Sequence, residues 1–164
     1  MPPFDPLEPG SGEPYVIKDI ELKPGQRPGI RKELREFKKD EYAWNLYLLG
    51  LWQFQLMPQD KLLSYFQIAG IHGLPYQAWP KDDPELPKLA RGEDGQKFRG
   101  FCTHSSILFL TWHRPYLALF ESLLGDAMMH VAKQFTPKED RQKYIDAAEA
   151  FRMPFWGWYS FGDS

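Results

Sequence analysis

The sequence contains a single cysteine, which excludes an internal disulfide framework and any cysteine-rich zinc module. It contains only four histidines, so at most four imidazole side chains could serve as metal ligands. No run approaches the ~18 consecutive apolar residues of a membrane span, and no membrane partner is expected. The net charge of −2 argues against electrostatic binding of nucleic acid.

The N-terminal stretch MPPFDPLEPGSGEP lacks both the basic start and the apolar centre of a secretory leader. A cytoplasmic protein is therefore the expectation. Because this stretch is rich in proline and glycine, we expect residues 1–15 to form an extended arm. The remaining residues, 16–164, are expected to form one domain, since 12 Phe, 8 Tyr and 6 Trp supply ample material for a core.

The spacing of apolar residues predicts an all-α fold, a bundle of four to five helices with a Pro-rich N-terminal arm and one long loop. Ile30, Leu34 and Phe37 form a one-sided stripe, and Asp40 is a suitable cap for the next helix. Gly70 is a natural helix stop, and Pro154 is expected to end the last helix. The predicted helices are Ile30–Lys39, Glu41–Met57, Gln59–Ala69, Thr111–Phe135 and a last helix ending at Arg152.

Between these helices the sequence predicts four local features. Val16–Leu22 alternates loosely like one short strand, and Pro24–Gly25 follows it as a turn. Residues 78–99 form a long polar connection. Thr136–Glu139 reads as a capping box with proline at the first helical position.

Three of the histidines are candidates for chemistry. His72 follows a predicted helix end, His104 precedes an apolar run, and His113 begins a long helix whose inward face continues through Leu117, Phe120, Leu124 and Met128. A histidine on such a face needs a polar partner or a metal. His130 is excluded from the same site because it lies about 25 Å further along the helix and roughly 260° around it. It is expected at the surface, near the helix C-terminus.

Three histidines without an obvious carboxylate suit copper or zinc, and the residue types alone do not choose between them. Zinc would support hydrolysis or hydration, whereas copper would support oxygen chemistry or electron transfer. Cys102 lies two residues before His104, so it is either a further ligand or a small buried side chain.

Several motifs in the right order resemble the copper A half of the fungal tyrosinases and catechol oxidases. The family's N-terminal helix is matched at Asp40–Leu51, and the motif after the copper A half at Pro154–Trp158. The strongest resemblance lies in three segments around His72, His104 and His113: SYFQIAGIHGLPY (64–76), FCTHSS (101–106) and LTWHRPYLALFE (110–121).

The resemblance implies a type 3 copper site in which His72, His104 and His113 bind one copper ion. It also implies that Cys102 forms a thioether bond to His104. The implied activity is the o-hydroxylation of monophenols and the oxidation of o-diphenols to o-quinones by O2, with a phenol and O2 as partners and melanin-type pigments as products. The complete family site holds two copper ions on six histidines.

The chain departs from the family in several places. Its second copper half is absent, Gly157 replaces an acidic residue, and Leu110 replaces a proline. We therefore expect residues 16–164 to be a partial copper-binding domain that is weak or inactive as an isolated monomer. The alternative is a mononuclear copper module without oxidase activity. Exposed apolar surface on the bundle would favour self-association, including a dimer that pairs two copper sites. A bundle with purely structural histidines is the remaining interpretation.

Overall fold

The computed structural model describes residues 1–10, 13–18, 24–25, 27–73, 102, 104, 106–136 and 138–158. Within them the all-α prediction is confirmed. The helices are α1 (Leu34–Phe37), α2 (Glu41–Gln55), α3 (Tyr65–His72), α4 (Phe109–Ala132) and α5 (Lys138–Glu149). In this part of the chain no helix combines the length and hydrophobicity needed to cross a membrane.

The predicted turn at Pro24–Gly25 is confirmed, and Gly25 has a φ of 80°. That left-handed conformation favours glycine. The predicted strand is absent from its described part, residues 16–18, where Val16 is exposed to solvent. The rest of that strand and the 78–99 connection lie outside the described residues.

Helix α2 lies at the centre of the bundle and contacts α3, α4 and α5. Its start is confirmed, because the Asp40 carboxylate accepts a hydrogen bond of 3.1 Å from the amide of Ala43. The helix passes very close to α4 at Gly50, where an added Cβ would lie 2.5 Å from Met128 Cγ and 3.1 Å from its Cα. Not every face is covered, since Leu48 and Trp52 are 46% and 52% exposed.

Helix α4 begins two residues before the predicted start, so Pro115 lies in the second turn rather than the first. The predicted inward face holds for Leu124 and Met128, which are fully buried. It fails for Leu117, which is 47% exposed. The described elements that pack on α4 cover the C-terminal half of that stripe and leave Leu117 at the surface.

Helix α1 is a single turn rather than the predicted Ile30–Lys39, and Ile30 is 82% exposed. Residues before α1 pair with the C-terminal segment instead. The Leu34 amide donates to the carbonyl of Phe155 at 2.9 Å, and the Phe155 amide donates to Lys32 at 3.1 Å. These long-range backbone hydrogen bonds outweigh the local helical pattern.

Helix α3 begins later and ends later than predicted. The Ser64 hydroxyl caps it by accepting from the Gln67 amide at 3.1 Å, whereas the residues from Pro58 to Ser64 form turns. Gly70 lies inside the helix and Gly73 follows its end. His72 therefore occupies the last turn of α3 rather than the connection after it.

Helix α5 ends at Glu149, earlier than the predicted Arg152. Pro154 does not end it, because four residues lie between the helix end and Pro154. In the predicted capping box, Pro137 and the side chain of Glu139 lie outside the described residues.

Two apolar clusters form the core, and the N-terminal segment reaches one of them. Phe4 is buried there with residues from α2, α3 and α4. Its amide donates to Gln53 Oε1 at 3.3 Å. The second cluster joins α2, α4 and α5 around Phe151. The first cluster extends to Trp112 and Tyr116, which lead to the candidate site.

Two polar contacts tie the segment before α2 to the C-terminal segment. Arg31 pairs with Glu121, which also accepts from the Met153 amide at 2.8 Å. Glu33 pairs with Arg35 at 2.9 Å and accepts from the Gly157 amide at 3.3 Å. The C-terminal segment is thereby held against both α1 and α4.

Candidate metal centre

Four candidate ligands converge at one end of the bundle. His72 comes from the end of α3, His113 from the second turn of α4, and Cys102 and His104 from the segment before α4. One ligand atom from each of these four side chains lies within 4.8 Å of those of the others. The structure thus brings together every site residue that the sequence singled out.

The three imidazole rings form a nearly equilateral triangle. The ring centroids of His72 lie 5.3 Å from those of His104 and His113, and the latter two are 5.2 Å apart. All three pairs meet edge-on rather than stacked. This arrangement lets ring nitrogens point toward a shared centre.

The tautomer of His113 follows from its hydrogen bond. Its Nδ1 lies 2.7 Å from the carbonyl oxygen of Phe109, one helical turn earlier. Because a carbonyl only accepts, Nδ1 carries the proton of this contact, and Nε2 is the nitrogen that faces the other candidate ligands. A backbone carbonyl that fixes the imidazole in this way is a common outer partner of metal ligands.

Cys102 lies between two of the histidines. Its Sγ is 3.2 Å from Nδ1 and 3.6 Å from Nε2 of His104, and 3.2 Å from Nε2 of His113. The sulfur is thus close to both nitrogens that flank Cε1 of the His104 ring. Burial raises the pKa of the Cys102 thiol, so it is protonated at neutral pH.

The environment of His72 favours its neutral form. Burial lowers the pKa of His72 below its ordinary value, and the neighbouring His113 and His104 lower it further. Neutral imidazole is the form that binds metals.

His130 lies outside this group, as the helix geometry predicts, and occupies the last turn of α4. It is half-buried rather than a surface residue. Its Nε2 donates to the carbonyl of Pro2 at 3.0 Å, and its ring packs 5.8 Å from that of Phe4. The N-terminal segment covers it, which the helical pattern alone could not show.

Two aromatic residues beside the centre escaped the sequence analysis. The ring of Phe109 lies 4.2 Å from that of His113 and 5.7 Å from that of His104. Tyr116 stacks on His72, and burial, with smaller effects of Tyr65 and Cys102, raises its pKa to about 12. Their spacing four residues before and three after His113 was the available signal.

The donor set fits copper. Three imidazoles and a thiol supply nitrogen and sulfur donors, which suit copper and zinc better than calcium or magnesium. The Nε2 of His113 faces the Cys102 thiol, and the lowered pKa of His72 favours the neutral ring that binds metals. The residues therefore form a candidate metal site in a helical domain.

Comparisons with known proteins show the family to which the chain belongs. A family profile described as "Common central domain of tyrosinase" matches residues 62–163. The chain is 47% identical over 151 residues to a tyrosinase of Neurospora crassa and 46% identical over 135 residues to one of Podospora anserina. These matches cover 89% and 80% of this chain. The chain belongs to the tyrosinase family.

A solved structure supports the same assignment. The holo-protyrosinase of Aspergillus oryzae superposes with a TM-score of 0.75 at 30% identity, over 88% of this chain and 25% of that one. The present chain spans 22% of the length of both the Neurospora and the Podospora tyrosinase. The chain therefore matches about a quarter or less of the length of each of these proteins.

Proposed function

We propose that this chain is the copper A half of a tyrosinase-type copper oxidoreductase. His72, His104 and His113 would hold one copper ion. The observation that carries the proposal is the convergence of three imidazole rings at 5.2–5.3 Å in a chain of this family. The reaction would be the o-hydroxylation of monophenols and the oxidation of o-diphenols to o-quinones, with a phenol and O2 as substrates.

Bound copper would supply oxygen chemistry and the exchange of electrons with a phenol. The chain's own residues prepare the site for it. The Phe109 carbonyl holds the proton of His113 on Nδ1, away from the centre. His104 is exposed to solvent, so the site opens toward a small molecule on that side.

The second candidate is a mononuclear copper module without oxidase activity. It is favoured by the histidine count, because three of the four histidines lie in one group. His130 contacts Pro2 and Phe4 instead. The chain itself therefore has no second set of three imidazoles for another copper.

Metal analysis tests both candidates. After copper loading and dialysis, we expect about one tightly bound copper ion per chain, as three converging imidazoles would hold. His113→Ala should lose it, whereas the control His130→Ala should keep it. A wild-type chain that retains no copper would contradict both candidates.

Oxygen uptake with a catechol tests the second candidate. Measurable turnover by the copper-loaded monomer would contradict a module without oxidase activity, whereas the first candidate allows weak or no turnover. Robust turnover by a proven monomer would contradict the expected weak or absent activity. Self-association through the exposed bundle face, where Ile107 and Leu110 are largely exposed, stays a prediction.

A further inference from the structure

We propose that Trp112 and Tyr116 are positioning residues that hold the imidazole of His72 ready for metal binding. The inference rests on the proposed copper site. It concerns this chain's own side chains, and neither residue is offered as a metal ligand.

The three rings lie close together and nearly parallel. Tyr116 stacks on His72 with the ring centroids 5.4 Å apart and the planes 18° apart. Trp112 lies 5.4 Å from Tyr116 at 20° and 6.3 Å from His72 at 37°. Because Trp112 and Tyr116 are one turn apart on α4, they share a helix face and meet His72 together. The imidazole is therefore blocked from rotating toward that side.

His72 depends on this packing more than the other two histidines do. His113 is fixed by the carbonyl of Phe109, and His104 contacts the Cys102 thiol. Within the described part of the chain, the contacts found for His72 are ring contacts. His72 also lies in the last turn of α3, where a helix is held by fewer backbone hydrogen bonds.

Trp112 connects two of the three candidate ligands. Its ring meets that of His113 edge-on at 4.8 Å while its other contacts reach His72 and Tyr116. A single side chain thereby sets the position of one imidazole relative to another. Fixing the orientation of ligands before the metal arrives raises affinity, because less conformational entropy is lost on binding.

The test compares variants that lose the flat ring with one that keeps it. Tyr116→Leu and Trp112→Leu should weaken copper binding about 10–100-fold, the range found for outer partners of metal ligands. Tyr116→Phe keeps the ring and should bind like the wild type. Copper affinity is measured by competition with a chelator of known strength.

A matched control comes from the next turn of α4. Phe120 packs on Phe54 and Tyr65 in the same core cluster, with its described ring contacts directed away from the histidines. Phe120→Leu should lower the free energy of unfolding without weakening copper binding. In metal-free protein, Tyr116→Leu should also shift the NMR signals of the His72 ring and leave those of His130 in place.

Three results would overturn the proposal. If wild-type protein binds no copper, the copper site fails and the positioning role fails with it. If the wild type binds copper and both leucine variants bind it equally well, the copper site stands but the positioning role is wrong. If Phe120→Leu weakens binding as much as Tyr116→Leu, the effect is merely structural. Should a leucine variant not fold, methionine at the same position takes its place, because its flexible side chain adapts to an irregular gap without a flat ring.

Discussion

At the scale of single residues, the most specific chemical prediction concerns Cys102. Its Sγ lies 3.2 and 3.6 Å from the two nitrogens that flank Cε1 of His104. We expect a thioether to form there when the protein is exposed to copper and O2. The new S–C bond replaces an S–H and a C–H bond, and O2 takes the two protons and two electrons to become hydrogen peroxide.

The measurement is a thiol assay in denaturant together with peptide mass spectrometry. Because Cys102 is the only cysteine, the titratable thiol should disappear after copper treatment in air. The peptide mass should fall by two hydrogen atoms, with Cys102 and His104 in one cross-linked product. Treatment without copper is the control. A thiol that stays fully titratable after copper loading would refute this prediction.

At the scale of elements, the contact between α2 and α4 depends on Gly50. An alanine there gains about 1 kcal/mol of helix propensity. Its Cβ, however, would lie 2.5 Å from Met128 Cγ and 3.1 Å from Met128 Cα. Overpacking of this kind costs about 1–3 kcal/mol. Because backbone as well as side chain is in the way, we expect Gly50→Ala to lower the free energy of unfolding by about 1 kcal/mol net.

Gly125→Ala on α4 is the matched control. There an added Cβ meets Phe151 at 3.7 Å, an ordinary contact, so helix propensity decides the sign. We expect this variant to gain about 0.5–1 kcal/mol. Urea unfolding measures both variants. If Gly50→Ala proves as stabilising as Gly125→Ala, the helices approach less closely than we describe.

The elements also show what local sequence can predict. Helix α2 begins as predicted because a side-chain cap, Asp40, acts within three residues. The predictions failed where contacts with residues distant in the sequence determine the local structure. Residues 30–33 are not helical because Lys32 and Leu34 form backbone hydrogen bonds with Phe155. His130 is covered because Pro2 and Phe4 contact it. Neither partner can be recognised from helical periodicity.

The candidate site was predicted more completely than the helix ends. His72, His104, His113 and Cys102 lie within 4.8 Å of one another, and their binding of copper stays a prediction. The supporting rings of Phe109 and Tyr116 were missed as functional residues. An aromatic residue on a helix is typical of a core, and only the fold shows that these two contact the imidazoles.

At the scale of the whole molecule, the Glu33 carboxylate connects α1 to the C-terminal segment around Gly157. It caps α1 through the Arg35 amide at 2.7 Å, pairs with the Arg35 side chain, and accepts from the Gly157 amide. The hydrogen bond and charge of Arg35 and the backbone amides of Arg35 and Gly157 lower the pKa of Glu33 from 4.5 to about 2. The family resemblance implies an acidic residue at position 157. Here that position is Gly157, and the nearby carboxylate is that of Glu33, which accepts a hydrogen bond from the Gly157 amide.

The lowered pKa makes this connection sensitive to acid. A carboxyl whose pKa falls on folding stabilises the fold above its unfolded pKa and loses that effect as the pH drops through its folded pKa. Glu33→Gln should therefore be less stable than the wild type at neutral pH. The difference should shrink between pH 4.5 and about 2, as the wild-type carboxyl becomes protonated. Amide hydrogen exchange at Leu34 and Phe155 should quicken in the variant, because their backbone hydrogen bonds flank Glu33.

Glu36→Gln provides the control for that experiment. Glu36 lies within α1 and pairs with Lys39 at 2.7 Å, but both side chains are largely exposed. Exposed pairs contribute little to stability, so this variant should unfold like the wild type at every pH. The opposite result is a stability difference for Glu33→Gln that stays constant down to pH 2. That result would mean that packing of the Glu33 side chain, rather than its charge, joins α1 to the C-terminal segment.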